Sequence, residues 1–216
     1  STTDSPLPIV ILFPEVIFNR KRFIKKVREK VRKCGYCSIV VSEGVKGANG
    51  KFLSDQGLTD AFGHAQLGGV APVIANIIKN DLGLKYHWGV ADYLQRAARH
   101  IASKVDVDQA YALGESAVKL AMQGHNAVMP TIERISDSPY RWQISSTPLS
   151  RVANVEKKMP KKFISNDGFG ITPSCERYLK PLIKGEAYPP FKDGLPKYVV
   201  LKNKLVAKKI GMDFKL

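Results

Sequence analysis

No stretch of these 216 residues approaches the 18 or so uninterrupted apolar positions of a membrane-spanning helix, and the first ten lack the basic-then-apolar order of a secretory leader. The expectations are therefore no membrane and a cytoplasmic compartment. Cysteine is scarce, at three residues, and an odd number without a leader argues for reduced thiols and against a disulfide framework. Cys34-Gly-Tyr-Cys37 has redox-motif spacing. Such a pair normally opens a helix, where the N-terminal dipole stabilises a thiolate; this one closes a helical pattern, so it reads as structural. His64, His87, His100 and His125 are dispersed, and no His-Glu-x-x-His step occurs. No metal site is expected within the chain. Internal repeats and low-complexity segments are lacking as well.

Charge of one sign is in short supply: 19 acids stand against 34 Lys and Arg, a net charge of +15. Such an excess can serve nucleic acid, a membrane surface or an anionic substrate. Aromatics are not interleaved with the lysines as a single-strand stacking platform needs, so nucleic acid is the least favoured partner. The dense basic set from Asn19 to Lys33 falls on one face of a helical pattern and reads as a solvated cationic face.

The chain has 44% apolar residues, ample for one large α/β domain or two small ones. Pro8-Ile-Val-Ile-Leu-Phe13 is a continuous apolar run, the pattern of a strand buried on both faces of a parallel sheet, and Pro14-Glu15 ends it. Ligands of open α/β sheets bind at that edge, which makes Glu15 a possible acceptor for a substrate hydroxyl; a helix-leading acid is the alternative. Asn19 can cap a helix carrying Phe23, Ile24, Val27 and Val31, with Gly35 as its stop, and Tyr36 to Val41 is a second buried strand. Ser42-Glu43-Gly44 to Gly50 is a loop at the same edge. Gly63 to Gly69 lacks the setting of a dinucleotide or phosphate-loop fingerprint and reads as a flexible insertion.

A helix is expected from Pro72 to Leu82, a strand from Leu84 to Val90, and a helix from Val105 to Gln123 capped by Asp106 or Ser103. Ala110, Leu113, Ala117, Leu120 and Ala121 form the inward stripe of that last helix. Asn126 to Ile132 and Tyr140 to Ile144 read as a hairpin. Beyond Pro148, proline and lysine recur, with a short helix from Pro173 to Ile183 and a late strand from Tyr198 to Leu201.

Ala91-Asp-Tyr-Leu-Gln-Arg-Ala-Ala-Arg-His100 gathers a phenol, an amide and an arginine fork at the end of an expected strand. Such donors suit an anionic, hydroxylated ligand, because the guanidinium matches a phosphate in two places at once. The alternative is that Arg96 and Arg99 are solvated and Tyr93 a half-buried anchor.

Taken together, Phe13-Pro-Glu-Val16, Ser38-Ile-Val-Val-Ser-Glu-Gly44, Lys85-Tyr-His-Trp88, Asp92-Tyr-Leu-Gln-Arg-Ala-Ala-Arg-His-Ile-Ala-Ser103 and Gly124-His-Asn-Ala-Val-Met129 resemble the second half of phosphofructokinases, most of all the pyrophosphate-dependent type. The resemblance implies a phosphofructokinase-like α/β fold, with a mainly parallel sheet, helices on both faces and Glu15 at the same strand-end edge as Arg96. Residues 1–147 would form a fructose 6-phosphate-binding half-domain, and 148–216 a Pro/Lys-rich C-terminal extension packing on it. It further implies that Glu15 accepts sugar hydroxyls, that Tyr93 replaces the more usual His, that Arg96 binds the phosphate, and that Leu94 and Gln95 complete the pocket. His87, with Lys85 nearby, stands where the family brings in an Arg from a neighbouring subunit of a homo-oligomer. The Gly-Gly-Asp donor loop, the catalytic Asp and the Mg2+ ligands belong to the family's N-terminal half and do not occur here. The implied activity is transfer of a phosphoryl group from pyrophosphate to the 1-hydroxyl of fructose 6-phosphate, a glycolytic step. ATP as donor, a non-catalytic phosphosugar-binding regulatory domain and a basic nucleic-acid binder are the alternatives.

Overall fold

The computed structural model describes residues 7–59, 65–67, 69–197, 199–205 and 207. Strand β1 (Ile9–Leu12) and strand β2 (Ser38–Val41) pair in parallel, Ile9 opposite Ser38 and Leu12 opposite Val41. Helix α1 (Arg20–Cys34) makes the crossover between them. Its first turn is closed by Asn19, whose side chain accepts the Arg22 N–H at 3.0 Å, and its last by Gly35 at φ +79°, whose N–H reaches the Val31 carbonyl. That left-handed conformation is one that side chains resist, so a glycine ends the helix. Phe23, Ile24 and Val27 point inward, against Val10 and Leu12.

Helix α2 (Val70–Leu82) adds Val70, Ile74 and Ile78 to the same core, and Val45 completes it from the loop after β2. Burial of each such side chain is worth roughly 1.5–3 kcal/mol. α2 begins two residues before Pro72. Arg20 grips the Asp81 carboxylate through Nε at 2.8 Å and Nη2 at 2.5 Å, tying the start of α1 to the end of α2 and holding the Asp81 carboxyl below its usual range.

A second region is built around a hairpin. Strands β5 (Val128–Asp137) and β6 (Tyr140–Pro148) pair antiparallel, as expected but longer than expected, with a register shift between Arg134 and Ser136. Helix α4 (Lys104–Met122) lies on them, capped by the Ser103 hydroxyl, which accepts the Asp106 N–H at 3.1 Å and donates to the Leu182 carbonyl. Helix α5 (Pro173–Leu179) continues into a 3-10 turn to Ile183. Arg134 locks α5 to the hairpin: its guanidinium lies 4.9 Å from the Tyr140 ring and 4.1 Å from the Tyr178 ring, and donates to the Tyr178 carbonyl and to Asp137.

The chain beyond Pro148 returns to the first region. The Ile11 N–H donates to the Phe169 carbonyl, Lys26 pairs with Asp167 at 2.6 Å, and Arg22 donates to the Asp167 carbonyl and lies over the Phe169 ring. Burial alone would push the Asp167 carboxyl up. Hydrogen bonds from Lys26, Ser165 and the Phe169 N–H outweigh it and hold the group at about 2.

Several expectations change. The described residues form four two-stranded sheets and only β1–β2 is parallel, so a mainly parallel sheet is not what this chain builds by itself. A parallel pair requires a crossover unit, and the described chain supplies one. Leu84 to Val90 forms no strand. β2, expected to be buried on both faces, leaves Val40 57% exposed, on the side that lines an open cavity. Within the glycine-rich stretch, Ala65–Leu67 is strand β4, paired antiparallel with β3 (Asp55–Thr59), while 60–64 and 68 lie outside the described residues. Tyr198 also lies outside them, and Val199 to Leu201 form no strand. Their exposure is 80% or more, because nothing pairs with them.

Candidate functional site

Because β1 and β2 run parallel, the loops that follow them leave the same edge. Pro14 and Gly44 approach so closely there that a Cβ on Gly44 would meet the Pro14 Cβ at 3.1 Å. Each loop carries one carboxylate, and the two have different surroundings. Glu15 is half-buried: Oε1 accepts the Met159 N–H at 2.8 Å, and Oε2 is buried without a hydrogen-bond partner among the described residues. Its carboxylate is thus turned to the backbone of the returning C-terminal segment. Glu43 is exposed, and its Oε1 lies 3.4 Å from the Val70 N–H in the first turn of α2, a position favourable for an anion.

An open cavity of about 1180 Å³ lies between β2, α2 and the segment from Leu84. Glu43, Lys85, His87, Tyr93 and Arg96 all line it. Tyr93 and Arg96 were expected from the sequence to line one pocket, whereas Lys85 and His87 were expected to reach the phosphate of a neighbouring subunit and here line the same chain's cavity. The fifth, Glu43, was not singled out from the sequence, and Glu15 does not line this cavity. The signal was present in Ser42-Glu43-Gly44, an acid following an apolar strand.

Leu84 to Ala91 runs along the cavity and turns at Asp92, a non-glycine residue at φ +46°. Helix α3 (Leu94–Ala97) is a single turn, and it carries Arg96. The guanidinium lies 5.6 Å from the Tyr93 ring, and no carboxylate pairs with it among the described residues. Tyr93 and Leu94 are 69% and 71% exposed; Tyr93 lines the cavity and Leu94, expected in the pocket, does not. The side chain of Gln95 lies outside the described residues.

Lys85 and Arg96 give the cavity cationic groups beside two carboxylates, Glu43 and Asp92, a combination that can attract an anion and accept a hydrogen bond from a hydroxyl beside it. Its aromatic lining, Tyr36, Tyr86, Trp88 and Tyr93, offers rings to the apolar face of a sugar. Cys37 also lines the cavity, and burial pushes its thiol up, away from thiolate chemistry. Arg96 also borders a second, adjoining cavity, with Arg99, His100 and Ser103, on its other side.

No protein-family model matches the chain. Individual proteins do. The chain is 63% identical over 208 residues to the pyrophosphate–fructose 6-phosphate 1-phosphotransferase of Methylococcus capsulatus, covering 96% of this chain and 50% of that protein. It is 61% identical over 209 residues to the protein of the same name from Halomonas elongata, again over 50% of its length. Among solved structures, the pyrophosphate-dependent phosphofructokinase of Nitrosospira multiformis superposes with a TM-score of 0.82 at 61% identity, over 98% of this chain and 49% of the other. The chain spans about half the length of the relatives it matches.

Proposed function

The chain belongs to the phosphofructokinase family, and we propose from this that it is the acceptor-substrate half of an enzyme that moves a phosphoryl group from pyrophosphate to the 1-hydroxyl of fructose 6-phosphate. The observation that carries the reading is the shared cavity of Lys85, His87, Tyr93, Arg96 and Glu43. Arg96 grips the 6-phosphate in two places, Lys85 adds charge, His87 adds an imidazole, and Glu43 accepts from the sugar hydroxyls. Glu15 holds the C-terminal segment and leaves the sugar to Glu43.

In this scheme the present residues bind and orient the acceptor, which converts an encounter of two anions into a step within one complex. The general base and the groups that neutralise the donor come from the other half of the polypeptide. Mg2+ would supply charge neutralisation at the donor. Its ligands are expected there too, because no group of three His, Cys, Asp or Glu side chains that could hold a metal occurs among the described residues. The enzyme works in the cytoplasm as a homo-oligomer, without nucleic acid. No helix among the described residues is long and apolar enough to cross a membrane.

The test is to join the chain to the complementary half of a relative and assay fructose 1,6-bisphosphate. Formation from pyrophosphate is the expected result. Formation only with ATP would select the ATP-dependent reading. Sugar-phosphate binding without product would select the regulatory one.

A further inference from the structure

α4 is the longest helix described, 19 residues, yet none of its residues is buried. One side of it rests on the β5–β6 hairpin through half-buried Val105, Gln109, Leu113, Ser116 and Leu120. A charged strip follows, paired internally as Lys104–Asp108 and Glu115–Lys119 at four-residue spacing. Beyond that strip lies a third face, formed by Ala110, Tyr111, Gly114, Ala117, Val118 and Ala121, with no charge in it. Tyr111 is 76% exposed and Val118 60% exposed. Soluble helices place apolar residues on one stripe and polar ones opposite. A second apolar stripe made largely of alanine and glycine is the surface of a helix that is packed on two sides, with small residues admitting a close neighbour.

We propose that this face is the seat of the half of the full-length enzyme that lies outside the match to this chain. The proposal rests on the functional reading above and names where the missing part docks. Two observations select the occupant. The matched relatives carry about as much polypeptide again. Further, the face is continuous, through Ala110 and Tyr111, with the cavity that Arg96 borders on its far side. A half-protein seated on α4 therefore abuts Arg96 and brings its donor-handling groups next to the bound acceptor. A second copy of this chain fits less well: it would bring another net charge of +15 against the first.

The test uses the chain as it is and a hybrid in which it replaces the matching half of the Methylococcus capsulatus relative. Val118→Cys, followed by thiol labelling mapped by mass spectrometry, is expected to react about tenfold or more slowly in the hybrid than in the chain alone, as for a desolvated interface position. Lys119→Cys, on the charged strip, should react alike in both. Gly114→Arg supplies a second measurement. A Cβ there meets nothing within 4 Å, so the variant should leave the melting of the isolated chain intact and lower that of the hybrid. Equal labelling of Val118→Cys in both proteins, or a Gly114→Arg hybrid as stable as its parent, overturns the proposal. So does labelling in the isolated chain that slows as its concentration rises, which would make a second copy the occupant. The two readings fail separately: slowed labelling in a hybrid that makes no fructose 1,6-bisphosphate sinks the function and leaves the docking. An active hybrid with fast labelling does the reverse.

Discussion

Glu43 and Arg96 line one cavity from two different elements, the loop after β2 and the single turn of α3, and no ion pair links Arg96 to any carboxylate among the described residues. An unpaired guanidinium keeps all of its donors for a ligand. Arg96→Lys preserves the charge but not the fork, so phosphosugar affinity in the full-length enzyme should fall by roughly ten- to a hundredfold, the equivalent of about 1.5 to 3 kcal/mol for a charge-assisted hydrogen bond. Turnover should change little if the contact is equal in ground and transition states. A larger effect on pyrophosphate than on the sugar would place the acceptor site elsewhere.

The two carboxylates at the sheet edge should separate by function. Glu43→Gln replaces an acceptor-only group with one that has a single acceptor oxygen, so fructose 6-phosphate should bind more weakly. Glu15→Gln keeps an oxygen for the Met159 N–H and should leave sugar affinity unchanged. Titration of both variants with the sugar phosphate decides the matter, and the opposite ranking would return the substrate role to Glu15.

Acid should loosen the contact between the C-terminal segment and α1. The Asp167 carboxyl is held at about 2 in the folded chain, below the ordinary value of about 3.9, so its stabilisation is present above pH 4 and is lost as pH falls from 4 towards 2. The side chain is 45% exposed, and the contribution belongs in the range of surface pairs, under about 1 kcal/mol. Melting curves of wild type and Asp167→Asn should differ at pH 6 and converge near pH 2; a constant difference would mean that ionisation is not what matters.

Arg134→Leu should destabilise the hairpin region. It removes a guanidinium held between two rings and bonded to a carbonyl and a carboxylate, at a side chain only 18% exposed. Contacts of this kind are worth about 1.5–3 kcal/mol for the charged hydrogen bonds, with a smaller cation–π share. Arg134→Lys should not restore stability, because an ammonium cannot stack between the rings while bonding to both acceptors. Denaturant unfolding of the three proteins checks the order.

Random-sequence nucleic acid should bind weakly despite the net charge of +15. Fluorescence anisotropy at about 150 mM salt should give a dissociation constant no tighter than roughly 10⁻⁶ M, the tight end of non-specific binding. Submicromolar affinity would contradict the view of the lysines as a solvated face.

What could be read from the sequence was what is decided locally. Asn19 and Gly35 bracket α1, and Ser103 starts α4, because a cap and an apolar period involve neighbours only a few residues apart. Leu84 to Val90 has strand composition, but a strand also needs a partner, and the pairing is not a property of the segment. The absence of Glu15 from the cavity is likewise not local in origin. Glu15 and Glu43 both follow an apolar run, and what separates them is a backbone N–H delivered from Met159. Ala110, Ala117 and Ala121 were read as inward on α4, and they are exposed, since the helix has two apolar faces and the described chain covers one.

That long-range delivery also bears on the order in which the protein can assemble. Glu15 and Met159 are 144 positions apart, and the Phe169 carbonyl that meets Ile11 comes later still. Closing such a loop costs entropy before any contact repays it, so these bonds form late in folding. During synthesis, the free edge of β1 therefore stays open until the chain past Phe169 has emerged, and an open strand edge is a template for pairing with other chains. Nascent chains truncated before that residue should be the aggregation-prone species, and those extended past it should not.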